Sequence, residues 1–131
     1  DEIVLNLDFA PTFLDYAGIK VPKSMQGYSM RNLVSGKKQS KWRESMYYHY
    51  LEFPHGWHFV KKHYGIRTDR YKLIHFYDDI DAWEFYDLKN DPNEINNIYN
   101  DPNYKSEINT TKRELYKLQV EFKDTVIEKT D

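Results

Sequence analysis

Cysteine is absent from the 131-residue chain. That excludes a disulfide framework, a thiolate metal site and a thiol nucleophile. Long apolar runs are absent as well. None approaches the ~20 residues that a bilayer-spanning helix needs, so no membrane segment is expected. No signal-peptide pattern is present, and the chain opens on Asp1 rather than Met, which points to excision from something longer. Neither sign of charge dominates. Nineteen basic and 21 acidic residues leave a net charge of −2, with no block of either sign, so a dedicated nucleic-acid binder is not expected. There is no Gly-rich phosphate loop and no nucleophile-elbow motif. Nothing in the spacing of the acids says which two would face each other as a glycosidase pair.

What the chain has in excess is aromatic surface. Phe, Trp and Tyr make up 17% of it, and twelve residues are Tyr. Tyrosine has a flat apolar body and a polar tip, so it suits half-buried surfaces such as sheets, interfaces and sugar sites. One dense stretch is His63 to Tyr77 (HYGIRTDRYKLIHFY), where aromatic and histidine side chains are interspersed with Arg67, Arg70 and Lys72.

The periodicities give an α+β organisation. Asp8 to Gly18 predicts a short helix: Asp8 caps its first turn, Pro11 sits where a missing N–H is tolerated, and Gly18 supplies the left-handed residue that ends it. Phe9, Phe13, Tyr16 and Ala17 share one face of it. A connecting region with turns at Val21-Pro22 and Gln26-Gly27 follows, with one or two helical turns between Ser29 and Val34 ended by Gly36. Strands are predicted over Ser45–Tyr50, Tyr64–Thr68, Tyr71–Phe76 and Trp83–Leu88. Their short links imply an antiparallel sheet. Asp91 to Glu94 reads as a capping-box-like helix start. Asp101-Pro102 opens a last helix, along which Tyr104, Ile108, Leu115, Leu118 and Phe122 form an apolar stripe that packs on the sheet. The expected fold is therefore a four-stranded antiparallel sheet with a C-terminal helix, preceded by a short N-terminal helix. Residues 1–44 form a helix and connecting region, and residues 45–131 form the sheet-and-helix subdomain.

Each chemically suggestive residue has two readings. His55, His58 and His63 could form a zinc cluster, or the first two could belong to a polar loop. His49 and His63, each beside a tyrosine on a strand, could donate to an oxyanion or could be half-buried and bonded to a backbone carbonyl. Arg67 alternates with Ile66 and Thr68, so it points away from their face. Its guanidinium fork suits sulfate, phosphate or carboxylate, or its stem covers tyrosine rings. Arg70, at the turn, is expected to be merely exposed. Asp78, Asp79 and Asp81 lack the glycine and distal glutamate of a calcium loop and read as a solvated turn.

Three blocks carry a resemblance. They are Leu7 to Gly18 (LDFAPTFLDYAG) followed by Met25-Gln26-Gly27, Tyr64 to Ile74 (YGIRTDRYKLI), and Trp83 to Glu94 (WEFYDLKNDPNE) continuing to Asn97. In this order and spacing the chain resembles, nearly end to end, the C-terminal part of the type I, formylglycine-dependent sulfatases. With His63 before the hairpin and Trp83 in the last strand, it is most similar to N-acetylglucosamine-6-sulfatases and related glycosaminoglycan sulfatases. The resemblance implies an alkaline-phosphatase-like core, which residues 1–44 would complete, and a smaller sheet subdomain. It implies a formylglycine nucleophile, made within a Cys/Ser-x-Pro-x-Arg motif, and a calcium ion held by Asp and Asn. Neither that motif nor those ligands are expected in this piece. The chain alone is therefore expected to be inactive and to form the rim of the substrate pocket. There His63, then His49 and Arg67, would touch the sulfated sugar, and the loop Phe53 to Phe59 would act as a lid or wall. The expected partners are the missing N-terminal core and the substrate, with neither nucleic acid nor membrane involved. Weak self-association is expected from the uncovered interface around Tyr47, Tyr50 and Trp57. The family suggests a periplasmic or secreted setting. The competing reading is a free-standing carbohydrate- or protein-binding module that uses its aromatic and histidine surface.

Overall fold

The computed structural model describes residues 2–37, 41–54, 57 and 59–124. The chain divides into two compact units, Asp1–Glu44 and Ser45–Asp131.

In the first unit, a single 3-10 turn, Asn6–Asp8, leads into α1, Phe9–Tyr16. Asp8 does not cap from outside the helix, as the sequence suggests. It occupies the third position of that turn and reaches back, so that its Oδ2 accepts from the Leu5 N–H at 2.8 Å. Its other oxygen accepts from the Tyr28 N–H at 2.9 Å, and the Arg43 guanidinium grips both oxygens. Asp8 is fully buried. Burial alone would push its carboxyl up, but the Arg43 hydrogen bond and the two backbone N–H groups outweigh that and hold it below the ordinary value. α1 ends as expected. Gly18 takes φ +71, and the N–H groups of Gly18 and Ile19 bond back to the carbonyls of Asp15 and Leu14. α2, Arg31–Val34, is one turn, closed by Gly36 at φ +66.

The apolar face of α1 behaves unexpectedly. The helix buries Pro11 and Thr12. Phe9, Phe13 and Tyr16 are 53%, 67% and 52% exposed, and Ile19 just beyond them is 56% exposed. The side that the spacing marks as core-facing is the side left open in this unit.

The second unit is a meander. The strands are β1, Ser45–Tyr50; β2, His63–Thr68; β3, Tyr71–Phe76; and β4, Ala82–Asp87. They pair antiparallel in the order β1-β2-β3-β4. After a 3-10 turn at Pro102–Tyr104, α3 runs from Lys105 to Glu121. Asp101 caps that turn by accepting from the Asn103 N–H at 2.9 Å. This is the antiparallel sheet with a C-terminal helix that the patterning implies.

Strand alternation sorts the side chains. On one face Tyr64, Ile66, Leu73 and Phe85 pack with Ile108, Leu115 and Leu118 of α3 into a single buried cluster. Tyr47, Tyr71 and Trp83 border it. The opposite, outer face carries Tyr48 and Tyr50, His63, Gly65 and Arg67, Lys72, Ile74 and Phe76, and Glu84 and Tyr86. Two local expectations fail. Asp91 to Glu94 makes a turn, not a helix, because Glu94 adopts φ +55 and its carboxylate pairs with Lys72 at 2.5 Å. Arg70 is not a merely exposed cation. Its guanidinium forks onto Asp87 at 2.9 and 3.2 Å, and the Asp87 side chain is only 3% exposed. That fork holds the Asp87 carboxyl below its ordinary value.

Candidate substrate-facing surface

The three histidines whose bonds can be traced show what the sheet does with imidazole. His75, on β3, lies on the helix-covered face. Its Nε2 faces Asp81 Oδ1 at 2.9 Å and its Nδ1 faces the Tyr64 hydroxyl at 2.8 Å. A carboxylate only accepts, so Nε2 carries the proton toward Asp81. The ring stacks on Trp83 at 4.1 Å. Trp83 in turn stacks on Tyr99 at 5.9 Å, with the Lys112 ammonium 3.8 Å from the Trp83 ring centre.

His49, on β1, lies on the same face. Its Nδ1 donates to Asp124 Oδ2 at 2.6 Å and its Nε2 meets the Tyr77 hydroxyl at 2.7 Å. Tyr47 donates to the same Asp124 oxygen at 2.5 Å. Both ring nitrogens of His49 are thus committed to protein groups, and β1 is tied to the residue just beyond the end of α3.

His63, on β2, is different. It lies on the outer face, where its ring is stacked by Tyr50 at 5.3 Å, tilted against Phe76 at 5.1 Å and met edge-on by Tyr48 at 5.8 Å. The register explains this row, since Tyr50, His63 and Phe76 stand directly opposite one another on β1, β2 and β3. Nδ1 donates to the Lys61 carbonyl at 2.8 Å, and among the described residues nothing bonds to Nε2.

Gly65 sits beside this row because of the ring that covers it. A Cβ there would come within 2.6 Å of the Tyr48 hydroxyl and 2.7 Å of the Leu73 carbonyl. Tyr48, its partner across β1, fills that space. Burial pushes the Tyr48 phenol well above its ordinary value. Tyr86 is pushed up to about 12, first by burial and then by its 2.9 Å bond to Glu84.

Arg67 shares the outer face, four residues beyond His63, which is about 13 Å along the strand. It is exposed and forms no hydrogen bond or ion pair among the described residues. The structure therefore brings His63 and Arg67 onto one surface and places His49 on the other. The expected aromatic interface also divides: Tyr50 belongs to the outer face, Tyr47 packs against Phe122 on the helix side, and Trp57 is 95% exposed. The loop Phe53 to Phe59 and the suggested zinc trio each include residues outside the described ones, namely His55 and His58. Among the described residues, no group of three His, Asp or Glu converges to hold a metal ion. No helix among them is long and apolar enough to cross a membrane. Asp78 and Asp79 form the expected solvated turn, paired with Lys62 and Lys61. Sequence reasoning missed the Lys61 carbonyl, a backbone group with no residue signature, and the Arg70–Asp87 fork.

Comparison with known proteins gives this surface a context. The family model for N-sulphoglucosamine sulphohydrolase, C-terminal, matches residues 1–121. An N-acetylglucosamine-6-O-sulfatase from Bacteroides thetaiotaomicron is 49% identical over 124 residues, covering 93% of this chain and 22% of the relative. A protein solved in complex with its substrate D-glucosamine-2-N,6-O-disulfate superimposes with a TM-score of 0.86 at 46% identity, over 95% of this chain and 25% of that one. A 2-O GAG sulfatase does so with a TM-score of 0.78 at 30% identity, over 89% of this chain and 25% of its own. The chain thus spans about a quarter of the length of the relatives it matches. It belongs to the N-sulphoglucosamine sulphohydrolase C-terminal family.

Proposed function

We propose that this chain is the C-terminal portion of a sulfatase that hydrolyses sulfate esters of sulfated amino sugars, and that it supplies the rim of the substrate pocket. The observation that carries this reading is the 49% identity to an N-acetylglucosamine-6-O-sulfatase across 93% of the chain. Residues 1–44 would complete the core of the enzyme. The open face of α1 supports that assignment: Phe9, Phe13 and Tyr16 are arranged as a helix arranges core contacts, yet they lie exposed here.

The bond-breaking groups would reside on the preceding segment. Sulfatases of this kind use a formylglycine nucleophile and a calcium ion. The Cys/Ser-x-Pro-x-Arg motif that carries the nucleophile does not occur in this sequence. The chain's contribution would be discrimination. The sulfate is common to all substrates, and the sugar must be told apart by groups at the mouth. His63 and Arg67, with the row Tyr50 and Phe76, would form that surface, because flat aromatic rings suit the C–H faces of a sugar ring. His49 would act indirectly, by holding β1.

A panel assay tests the reading. The full-length protein that contains this chain should release inorganic sulfate from 6-O-sulfated N-acetylglucosamine in preference to sulfated uronic acids. Release from no sulfated amino sugar would overturn it.

A further inference from the structure

The state of His63 allows a sharper statement, one that rests on the reading just given. We propose that His63 Nε2 is a specificity contact that accepts a hydrogen bond from a donor on the sugar, a ring hydroxyl or an amide N–H, and that it does not bind the sulfate.

Three observations lead there. First, Nδ1 donates to the Lys61 carbonyl at 2.8 Å. A carbonyl only accepts, so the Nδ1 proton is fixed and the neutral ring presents a lone pair at Nε2. Second, the ring cannot easily turn to exchange its nitrogens. Tyr50 stacks on it, Phe76 leans against it and Tyr48 meets it edge-on. Third, among the described residues no carboxylate bonds to the imidazole. The other two traced histidines each face one, Asp124 for His49 and Asp81 for His75. Among the described residues, His63 faces Tyr48, Tyr50, Phe76 and a backbone carbonyl. A sulfate ester has no proton to give, and two acceptors repel. A sugar hydroxyl or an acetamido N–H has the proton that Nε2 lacks.

The test uses the full-length protein with 6-O-sulfated N-acetylglucosamine, its singly deoxygenated ring analogues, the analogue lacking the acetyl group, and a sulfated phenol. His63→Ala should lower kcat/KM for the sugar by about tenfold to a hundredfold, mainly through KM, and lower it far less for the phenol sulfate, which has neither a ring hydroxyl nor an amide to offer. One sugar analogue should suffer a similar loss with the unaltered protein and little further loss with His63→Ala, as expected of two halves of one contact. A deoxy analogue in that position identifies a hydroxyl, and the deacetylated one identifies the amide. Equal losses on sugar and phenol sulfates, or full additivity for every analogue, would overturn the proposal. Failure to release sulfate from any sugar would instead overturn the underlying sulfatase reading. Independently of turnover, a long-range proton–nitrogen spectrum of the 131-residue chain should show His63 protonated at Nδ1. A proton at Nε2 would overturn the proposal even if His63→Ala failed to fold.

Discussion

His49 and His63 sit on adjacent strands, one register step apart, with their rings on opposite faces of the sheet. His49 is consumed by Asp124 and Tyr77, whereas among the described residues one nitrogen of His63 has no partner. The two histidines that look alike in sequence therefore have separable roles. His49→Ala should destabilise the chain by about 1–3 kcal/mol, because it removes the bonds that the Asp124 carboxylate and the Tyr77 hydroxyl make to the ring at a partly buried site. Urea denaturation checks this. An unchanged midpoint would show that the tie from β1 to the end of α3 contributes nothing.

Gly65 gives a steric prediction. Gly65→Val should cost at least about 1–3 kcal/mol. The Tyr48 ring could swing away, but the Leu73 carbonyl, 2.7 Å from the new Cβ, belongs to the paired backbone of β3 and cannot. A thermal melt comparing Gly65→Val with the parent chain is sufficient.

The α3 stripe predicts a contrast within one helix. Leu115 is fully buried in the cluster with Phe85 and Ile66, and Val120 is 63% exposed. Leu115→Ala should cost about 2–5 kcal/mol. Val120→Ala should stay within about 0.5 kcal/mol. Similar losses at both positions would mean that the helix packs otherwise.

Acid should weaken both units. Asp8 and Asp87 have carboxyls held below the ordinary value of 3.8 by Arg43 and Arg70. A depressed folded-state value means stability that is fully present above the unfolded value and is lost as pH falls through the folded one. Stability should therefore be level near neutrality and decline below about pH 4. Asp87→Asn should flatten part of that decline while lowering stability at pH 7. Denaturant midpoints from pH 2 to 7 check it. An unaltered acid slope in Asp87→Asn would remove the Arg70 pair from the account.

The open face of α1 predicts self-association. Phe9→Ser with Phe13→Ser should reduce any concentration-dependent association seen by sedimentation, because the two rings stack on each other at 6.4 Å and stand exposed. Strictly monomeric behaviour of the unaltered chain at high concentration would count against an uncovered interface.

The strand pattern was legible because alternation has a period of two. Placing Arg67 opposite in sense to Ile66 and Thr68 needs only their adjacency, and the structure keeps them apart in that way. Helix spacing likewise marked Ile108, Leu115 and Leu118. Tertiary partners left no such trace. The Asp87 that engages Arg70 lies seventeen residues away, and the Asp124 that engages His49 lies seventy-five residues away. Spacing also identified the apolar side of α1 without saying whether anything in this chain covers it. At Asp91 to Glu94 the local motif lost to a longer-range contact, since the Glu94 carboxylate satisfies Lys72 rather than a helix start.

The central claim is that this chain shapes a desulfating pocket without containing its chemistry. The direct measurement is inorganic sulfate released from N-acetylglucosamine 6-sulfate, with the 131-residue chain and the full-length protein assayed at equal concentration. The account predicts release by the full-length protein and none above background by the chain. Release by the isolated chain would contradict it.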